Sequence, residues 1–164
     1  MGRTAYIGLG SNMGDRLGNY RKATMLIAEL PQTRVTRQSS LYETEPHGRA
    51  RNWFLNGVIE VDTELDATDL LKALQKIETT CGRKRDQKKG NVSRTMDLDI
   101  LLYEAEVFEK RNLKIPHPEL PARKFVLLPL SELAPAYRHP TLSETVSALL
   151  VACNDDKKIH LFKA

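Results

Sequence analysis

Thr95-Met96-Asp97-Leu98-Asp99-Ile100-Leu101-Leu102-Tyr103 is apolar enough to lie inside a sheet, yet it carries two aspartates two positions apart. Side chains of a strand point alternately to its two faces. The alternation sends Leu98, Ile100 and Leu102 inward, and it puts Asp97, Asp99, Leu101 and Tyr103 on the opposite face with the two carboxylates side by side. Upstream, Asp66 stands where it can cap a helix whose Leu70, Leu71, Leu74 and Ile77 form a buried stripe and which Gly82 ends. Before that helix, Phe54 to Asp62 alternates as a half-buried strand. Leu55, Gly57, Ile59 and Val61 share one face; Phe54, Asn56, Val58, Glu60 and Asp62 share the other. Thr33 to Tyr42, rich in β-branched and hydroxyl residues, reads as a single strand. Leu17, Tyr20, Ala23, Ile27 and Leu30 recur at helical spacing until Pro31. Thr4 to Leu9 is a strand that enters the turn-forming Gly10-Ser11-Asn12.

The resulting order, βαββαβ, predicts an α+β, ferredoxin-like antiparallel sheet with helices on one face. Val107-Phe108 reads as a short added strand. Phe125 to Leu133 and Leu142 to Val151 have helical apolar spacing and are expected to cover the second face, giving three αβα layers. At 164 residues the chain is expected to form a single domain, 1–164.

Hydrophobic residues make up 41% and charged residues 28%, and no apolar run approaches the roughly 20 residues needed to cross a bilayer. The N-terminus lacks an apolar signal core. Cys81 and Cys153 lie in no CxxC or Cys/His cluster, so neither a disulfide framework nor a zinc site is expected. Together these features predict a cytoplasmic protein with no membrane partner. The net charge of +4 is too mild to demand nucleic acid. The distribution is more informative: Arg83, Lys84, Arg85, Lys88, Lys89 and Arg94 face a single acid, Asp86, directly ahead of Asp97 and Asp99.

A pair of aspartates on one strand face reads most plainly as a solvated surface. Apolar flanks and an adjacent cationic loop favour another reading, in which the carboxylates share hard divalent cations. Magnesium takes one or two carboxylates and completes its shell with phosphate oxygens and water. Arg83, Arg85 and Arg94 would then neutralise phosphate, where the plain reading is a solvated charge run. His117, stiffened by Pro116 and Pro118, can offer a phosphate a hydrogen bond, or simply hold a turn. Phe54 and Asn56 present an aromatic plane and an amide on one face, which suits a flat heterocycle. Taken singly, they are a core aromatic and a strand-edge amide.

Several strings, in this order, resemble the 6-hydroxymethyl-7,8-dihydropterin pyrophosphokinases. They begin with Tyr6-Ile7-Gly8-Leu9-Gly10-Ser11-Asn12, Ser40-Leu41-Tyr42-Glu43-Thr44-Glu45-Pro46 and Phe54-Leu55-Asn56. Gln75-Lys76-Ile77-Glu78, Gly82-Arg83 and Arg94-Thr95-Met96-Asp97-Leu98-Asp99-Ile100-Leu101 follow. Ile115-Pro116-His117-Pro118 and Arg123-Lys124-Phe125-Val126-Leu127 complete the set. The resemblance implies a magnesium-dependent transfer of diphosphate from ATP to a reduced pterin in folate biosynthesis. Two Mg2+ ions would be held by Asp97 and Asp99. The pterin would stack between Phe54 and Phe125, and Asn56 and the backbone from Thr44 through Pro46 to His47 would hydrogen-bond it. Gln75, Glu78, Arg85, Ile100, His117 and Arg123 would line the nucleotide site, while Arg83 and Arg94 would close over the phosphates. No obligate protein partner is implied. The family's aromatic-Gly-Pro before R-T-x-D-L-D is replaced here by Asn91-Val92-Ser93, and its common Tyr is Phe54.

Two other functions share the topology. A ferredoxin-like nucleotidyl transferase or cyclase also uses paired aspartates and magnesium. An RNA-binding module would use the basic loop, but it would carry stacking aromatics where this strand carries Asp97 and Asp99.

Overall fold

The computed structural model describes residues 2–46, 52–82 and 95–163. In chain order its elements are β1 (Arg3–Ser11), α1 (Arg16–Ala28), β2 (Thr33–Gln38), β3 (Tyr42–Thr44), β4 (Phe54–Thr63), α2 (Ala67–Thr80) and β5 (Asp97–Tyr103). After these come a hairpin of β6 (Phe108–Lys110) and β7 (Leu113–Ile115), a 3-10 turn (Leu120–Ala122), α3 (Lys124–Leu133), α4 (Val146–Ala152) and β8 (Ile159–Leu161).

The main sheet runs β5-β1-β4-β3-β8, with β2 also on β4. Every pairing in it is antiparallel. This is the expected ferredoxin-like arrangement, with β1 and β4 central. Local signals fix the helix ends. Asp15 caps α1 by accepting the Gly18 N–H, and Asp66 caps α2 by accepting that of Asp69. Beyond the α2 cap, Gly82 sits at φ 101°, a left-handed conformation that costs glycine little.

Two apolar cores lie on the two faces. On the first, Ala5, Ile7 and Leu9 of β1 and Leu55, Ile59 and Val61 of β4 pack against Tyr20, Ala23 and Ile27 of α1 and Leu70, Leu74 and Ile77 of α2. On the second, Tyr6, Val58, Leu101 and Leu102 meet Val126, Leu127, Leu130 and Leu133 of α3 and Val146 and Leu149 of α4. The three-layer expectation therefore holds. β4 is not half-buried, however: Leu55, Asn56, Gly57, Val58 and Ile59 are all buried, because helices cover both of its faces.

Three further expectations need correction. Thr33 to Tyr42 is two strands. Between them the Ser39 hydroxyl accepts the Val58 N–H at 2.9 Å and the Ser40 backbone N–H donates to the Glu132 carboxylate at 2.8 Å, so one serine hydroxyl and an α3 acid take the place of ladder partners. In β5 the register slips: Tyr6 pairs with Leu102 and Ile7 with Ile100. Leu101 is thus the extra residue of a β-bulge. Leu102 consequently joins the second core and Tyr103 the first, the reverse of simple alternation. Finally, α4 starts at Val146 rather than Leu142, because Thr145 caps it and Ser143 has φ 62°, outside the helical region. The edge strand β8, only three residues long, escaped the periodicity reading.

Candidate active site

β1 lies between β4 and β5, and its register creates the site. Gly10 pairs with Asn56 on one side and with Asp97 on the other; Gly8 pairs with Val58 and Asp99. Paired residues share a face, so Asn56, Gly10 and Asp97 form one row on the α3 side of the sheet. Gly10 leaves the middle of this row without a side chain. Two strand spacings, roughly 10 Å, separate its ends. A Cβ on Gly10 would stand 2.7 Å from Asn56 Oδ1 and 3.7 Å from Phe54 Cδ1, so the amide and the ring lean over the glycine.

At the β4 end, the buried Asn56 donates from Nδ2 to the buried Thr44 Oγ1 at 2.7 Å. Phe54, opposite Thr44 in register, is half-buried, as is Pro46 just beyond β3. Phe125 lies in the first turn of α3 at the margin of the second core, and the Arg123 guanidinium is 5.5 Å from its ring centroid.

At the β5 end, Asp97 and Asp99 are partly exposed while their neighbours Leu98 and Ile100 are buried. Glu78 of α2, only 3% exposed, accepts the Leu98 N–H at 2.8 Å through Oε2. A buried carboxylate therefore holds the backbone between the two aspartates. Gln75 is half-buried one turn earlier on α2. The Ile100 side chain belongs to the α1/α2 core, so only its backbone, on the outermost strand of the sheet, can meet a ligand on this side. His117 is tied to β5 by its own N–H, which donates to Leu101 O at 3.0 Å. Its Nδ1 accepts the Glu119 N–H at 3.1 Å, which places the ring proton on Nε2, 3.9 Å from Asp99 Oδ1. Burial, then the nearby Arg123 charge, lower the His117 pKa, against the opposing pull of Asp97 and Glu119. The neutral imidazole with an Nε2 donor is the form favoured near neutrality.

Among the described residues no group of three or more His, Cys, Asp or Glu side chains is arranged to hold a metal ion. The protein offers a dicarboxylate instead. That donor set fits magnesium bound jointly with phosphate and water, and it does not fit zinc or a closed protein cage. The other expected residues, His47, Arg83, Arg85 and Arg94, lie outside the described residues, as does the departing segment Asn91-Val92-Ser93.

One cluster went unread in the sequence. Arg16, the first residue of α1, donates to Glu43 Oε2 at 2.7 Å and to Trp53 O at 3.0 Å, with its guanidinium 6.0 Å from the Phe162 ring centroid. Asn12 and Asn52 exchange amide-to-carbonyl bonds of 3.1 and 3.2 Å, and Trp53 stacks on His160. The only advance signal was the turn-forming Gly10-Ser11-Asn12, since contacts between distant loops leave no periodicity.

The family described as 7,8-dihydro-6-hydroxymethylpterin-pyrophosphokinase (HPPK) matches residues 6–135. A 2-amino-4-hydroxy-6-hydroxymethyldihydropteridine pyrophosphokinase of Pseudomonas aeruginosa is 43% identical over 149 residues, 90% of this chain and 90% of that protein. Its counterpart in Bacillus subtilis is 44% identical over 134 residues, 81% of this chain and 79% of that one. The folic acid synthesis protein fol1 of Schizosaccharomyces pombe is 39% identical, across 96% of this chain but only 23% of its own length. Among solved structures, Plasmodium falciparum HPPK-DHPS with pteroate superposes with a TM-score of 0.75 at 17% identity, over 93% of this chain and 42% of that one. The match from Tyr6 through Pro135, together with close relatives of the same length, makes this chain a member of the HPPK family.

Proposed function

We infer that the chain catalyses the reaction of its family, transfer of the terminal diphosphate of ATP to 6-hydroxymethyl-7,8-dihydropterin, with AMP as the second product. One observation supports this reading at the level of geometry: the row Asn56, Gly10, Asp97, which sets a buried amide beside the Phe54 ring and a partly exposed dicarboxylate about 10 Å apart on one face of the sheet.

In this reading Phe54 and Phe125 stack on the pterin, and Asn56 with the Thr44, Pro46 and His47 backbone reads its edge. The substrate's primary hydroxyl is thereby aimed along the row at the β-phosphorus, and this fixed geometry supplies much of the rate. Asp97 and Asp99 are the residues that would hold magnesium, in our reading two ions. When bound, magnesium neutralises phosphate charge and orients the β-phosphoryl group for in-line attack. Glu78 keeps the two aspartates in register. His117 donates from Nε2 to a phosphate oxygen, Arg123 and Arg85 add charge along the triphosphate, and Arg83 and Arg94 close over the group in transfer. Gln75 and the Ile100 backbone border the nucleotide. All 164 residues act as one catalytic unit in the cytoplasm, with no nucleic acid, membrane or obligate protein partner.

The test is to incubate the protein with ATP, Mg2+ and the hydroxymethyl-dihydropterin and to follow AMP. AMP should form only when the pterin is present, and Asp97→Ala or Asp99→Ala should lower turnover by roughly a thousandfold with the fold intact. AMP formed without pterin would point to a nucleotidyl-transfer enzyme, and near-normal turnover in the aspartate variants would remove this site from the chemistry.

A further inference from the structure

We propose that Arg16 is a positioning residue for the pterin pocket, acting through the sheet from its opposite face. The proposal rests on the assignment of Phe54, Thr44 and Asn56 as that pocket. Register defines the geometry. Thr44 pairs with Phe54 and Tyr42 with Asn56, so those side chains share the α3 face, whereas Glu43 pairs with Leu55 and points to the α1 face. Leu55 is indeed part of the α1-side core. Arg16 reaches Glu43 from the start of α1 and is therefore on the wrong side of the sheet to touch a bound ring.

It instead holds the two chain segments that carry the pocket. One guanidinium nitrogen bonds the Glu43 carboxylate at 2.7 Å, directly ahead of Thr44. The other bonds the Trp53 carbonyl at 3.0 Å, directly ahead of Phe54. Both side chains of the ion pair are about three-quarters shielded or nearly so, at 26% and 31% exposure, and the Phe162 ring lies against the guanidinium. Partial desolvation of this kind makes a charge-assisted bond stronger than at an open surface. The planar fork of arginine spans both acceptors at once; a lysine offers a single point charge.

The adjoining contacts act in the same direction. Asn12 and Asn52 lock the end of β1 to the approach to β4, and the Trp53 ring is clamped on His160 of β8. The Thr44–Phe54 pair, and with it the Asn56–Thr44 hydrogen bond, is therefore fixed from beneath by one cation.

The experiment compares Arg16→Gln, Arg16→Lys and Glu43→Gln with the unaltered protein. Pterin affinity is measured calorimetrically beside a non-hydrolysable ATP analogue and Mg2+, nucleotide affinity is measured alone, and KM and kcat are taken separately. Arg16→Gln should weaken pterin binding and raise the pterin KM about tenfold, with nucleotide affinity and kcat changed less than about threefold. Arg16→Lys should keep the Glu43 contact and recover part of the loss, and Glu43→Gln should show a smaller defect of the same kind. Unchanged pterin affinity in Arg16→Gln, or a parallel loss of nucleotide affinity, overturns the proposal. Phe54→Ala and Asn56→Ala serve as the separate control: if they too leave pterin binding intact, the pocket assignment itself has failed; if they abolish it while Arg16→Gln has no effect, only the positioning role is lost.

Discussion

Gly10→Ala isolates the geometry of the site in one methyl group. Among the described residues the glycines with positive φ are Gly14 and Gly82, and Gly10 is not one of them, so alanine meets no backbone strain there. On chain entropy alone the change should stabilise the protein by about 0.4–1 kcal/mol. Sterics oppose it. The added Cβ falls 2.7 Å from Asn56 Oδ1, and ordinary contact begins at 3.4 Å, so the amide must withdraw. It cannot do so freely, because its Nδ2 is held by Thr44 Oγ1 at 2.7 Å in a buried setting. Rotating the amide breaks that bond and leaves a buried polar group unpaired, at a cost of about 1–3 kcal/mol. The net expectation is a loss of about 1–2 kcal/mol in a urea titration, accompanied by at least a roughly tenfold weaker pterin affinity from the misdirected amide. Nucleotide affinity, which depends on the other end of the row, should stay within about twofold. Calorimetric titration of each ligand and denaturant melts provide the readouts. A Gly10→Ala protein that is more stable and binds pterin normally would refute the close fit of Asn56 over β1.

Three other perturbations follow from contacts elsewhere in the fold. Glu78→Ala strands the Leu98 N–H and should cost about 2–4 kcal/mol, while Glu78→Gln, which retains an acceptor, should recover at least half; equal melts for both variants and the parent would show that this bond carries nothing. Tyr20→Phe removes a hydroxyl that is buried above Gly57 with no hydrogen-bond partner, and should raise Tm by about 2–4 °C; a lower Tm would mean that the hydroxyl is satisfied. His139 is buried and accepts the Thr141 and Leu142 N–H groups at Nδ1, and its burial lowers its pKa. Because the unfolded chain binds that proton more readily, stability should be full above the unfolded value near about 6.5 and should fall as pH drops through it, levelling below the folded pKa. Urea midpoints of the parent minus those of His139→Gln between about pH 7.5 and 5 isolate this from His117; a difference that is flat or grows on acidification counts against it.

The sequence exposed those parts of the fold that rest on local rules. Asp66 and Gly82 mark α2 because a cap and a left-handed stop act within one turn of chain. The Asp97 and Asp99 pair was readable because strand alternation is local until the bulge, two residues later, cancels it at Leu102 and Tyr103. What stayed hidden depends on neighbours far along the chain. Glu132 and Val58 split β2 from β3, α3 and α4 bury the second face of β4, and Arg16 meets Glu43 and Trp53 only once three segments have converged. Gly10 was visible as part of a turn signal, but its place between Asn56 of β4 and Asp97 of β5 required the register.

That register also acts as a ruler. The distance from Asn56 to Asp97 is set by two rungs of backbone hydrogen bonds, a length that no side-chain substitution can stretch or shrink gradually. Such a site can evolve new ring preferences at one end and new anion preferences at the other, but the reach between them changes only by whole strands. Substrate analogues with one extra methylene between ring and hydroxyl should therefore bind without reacting.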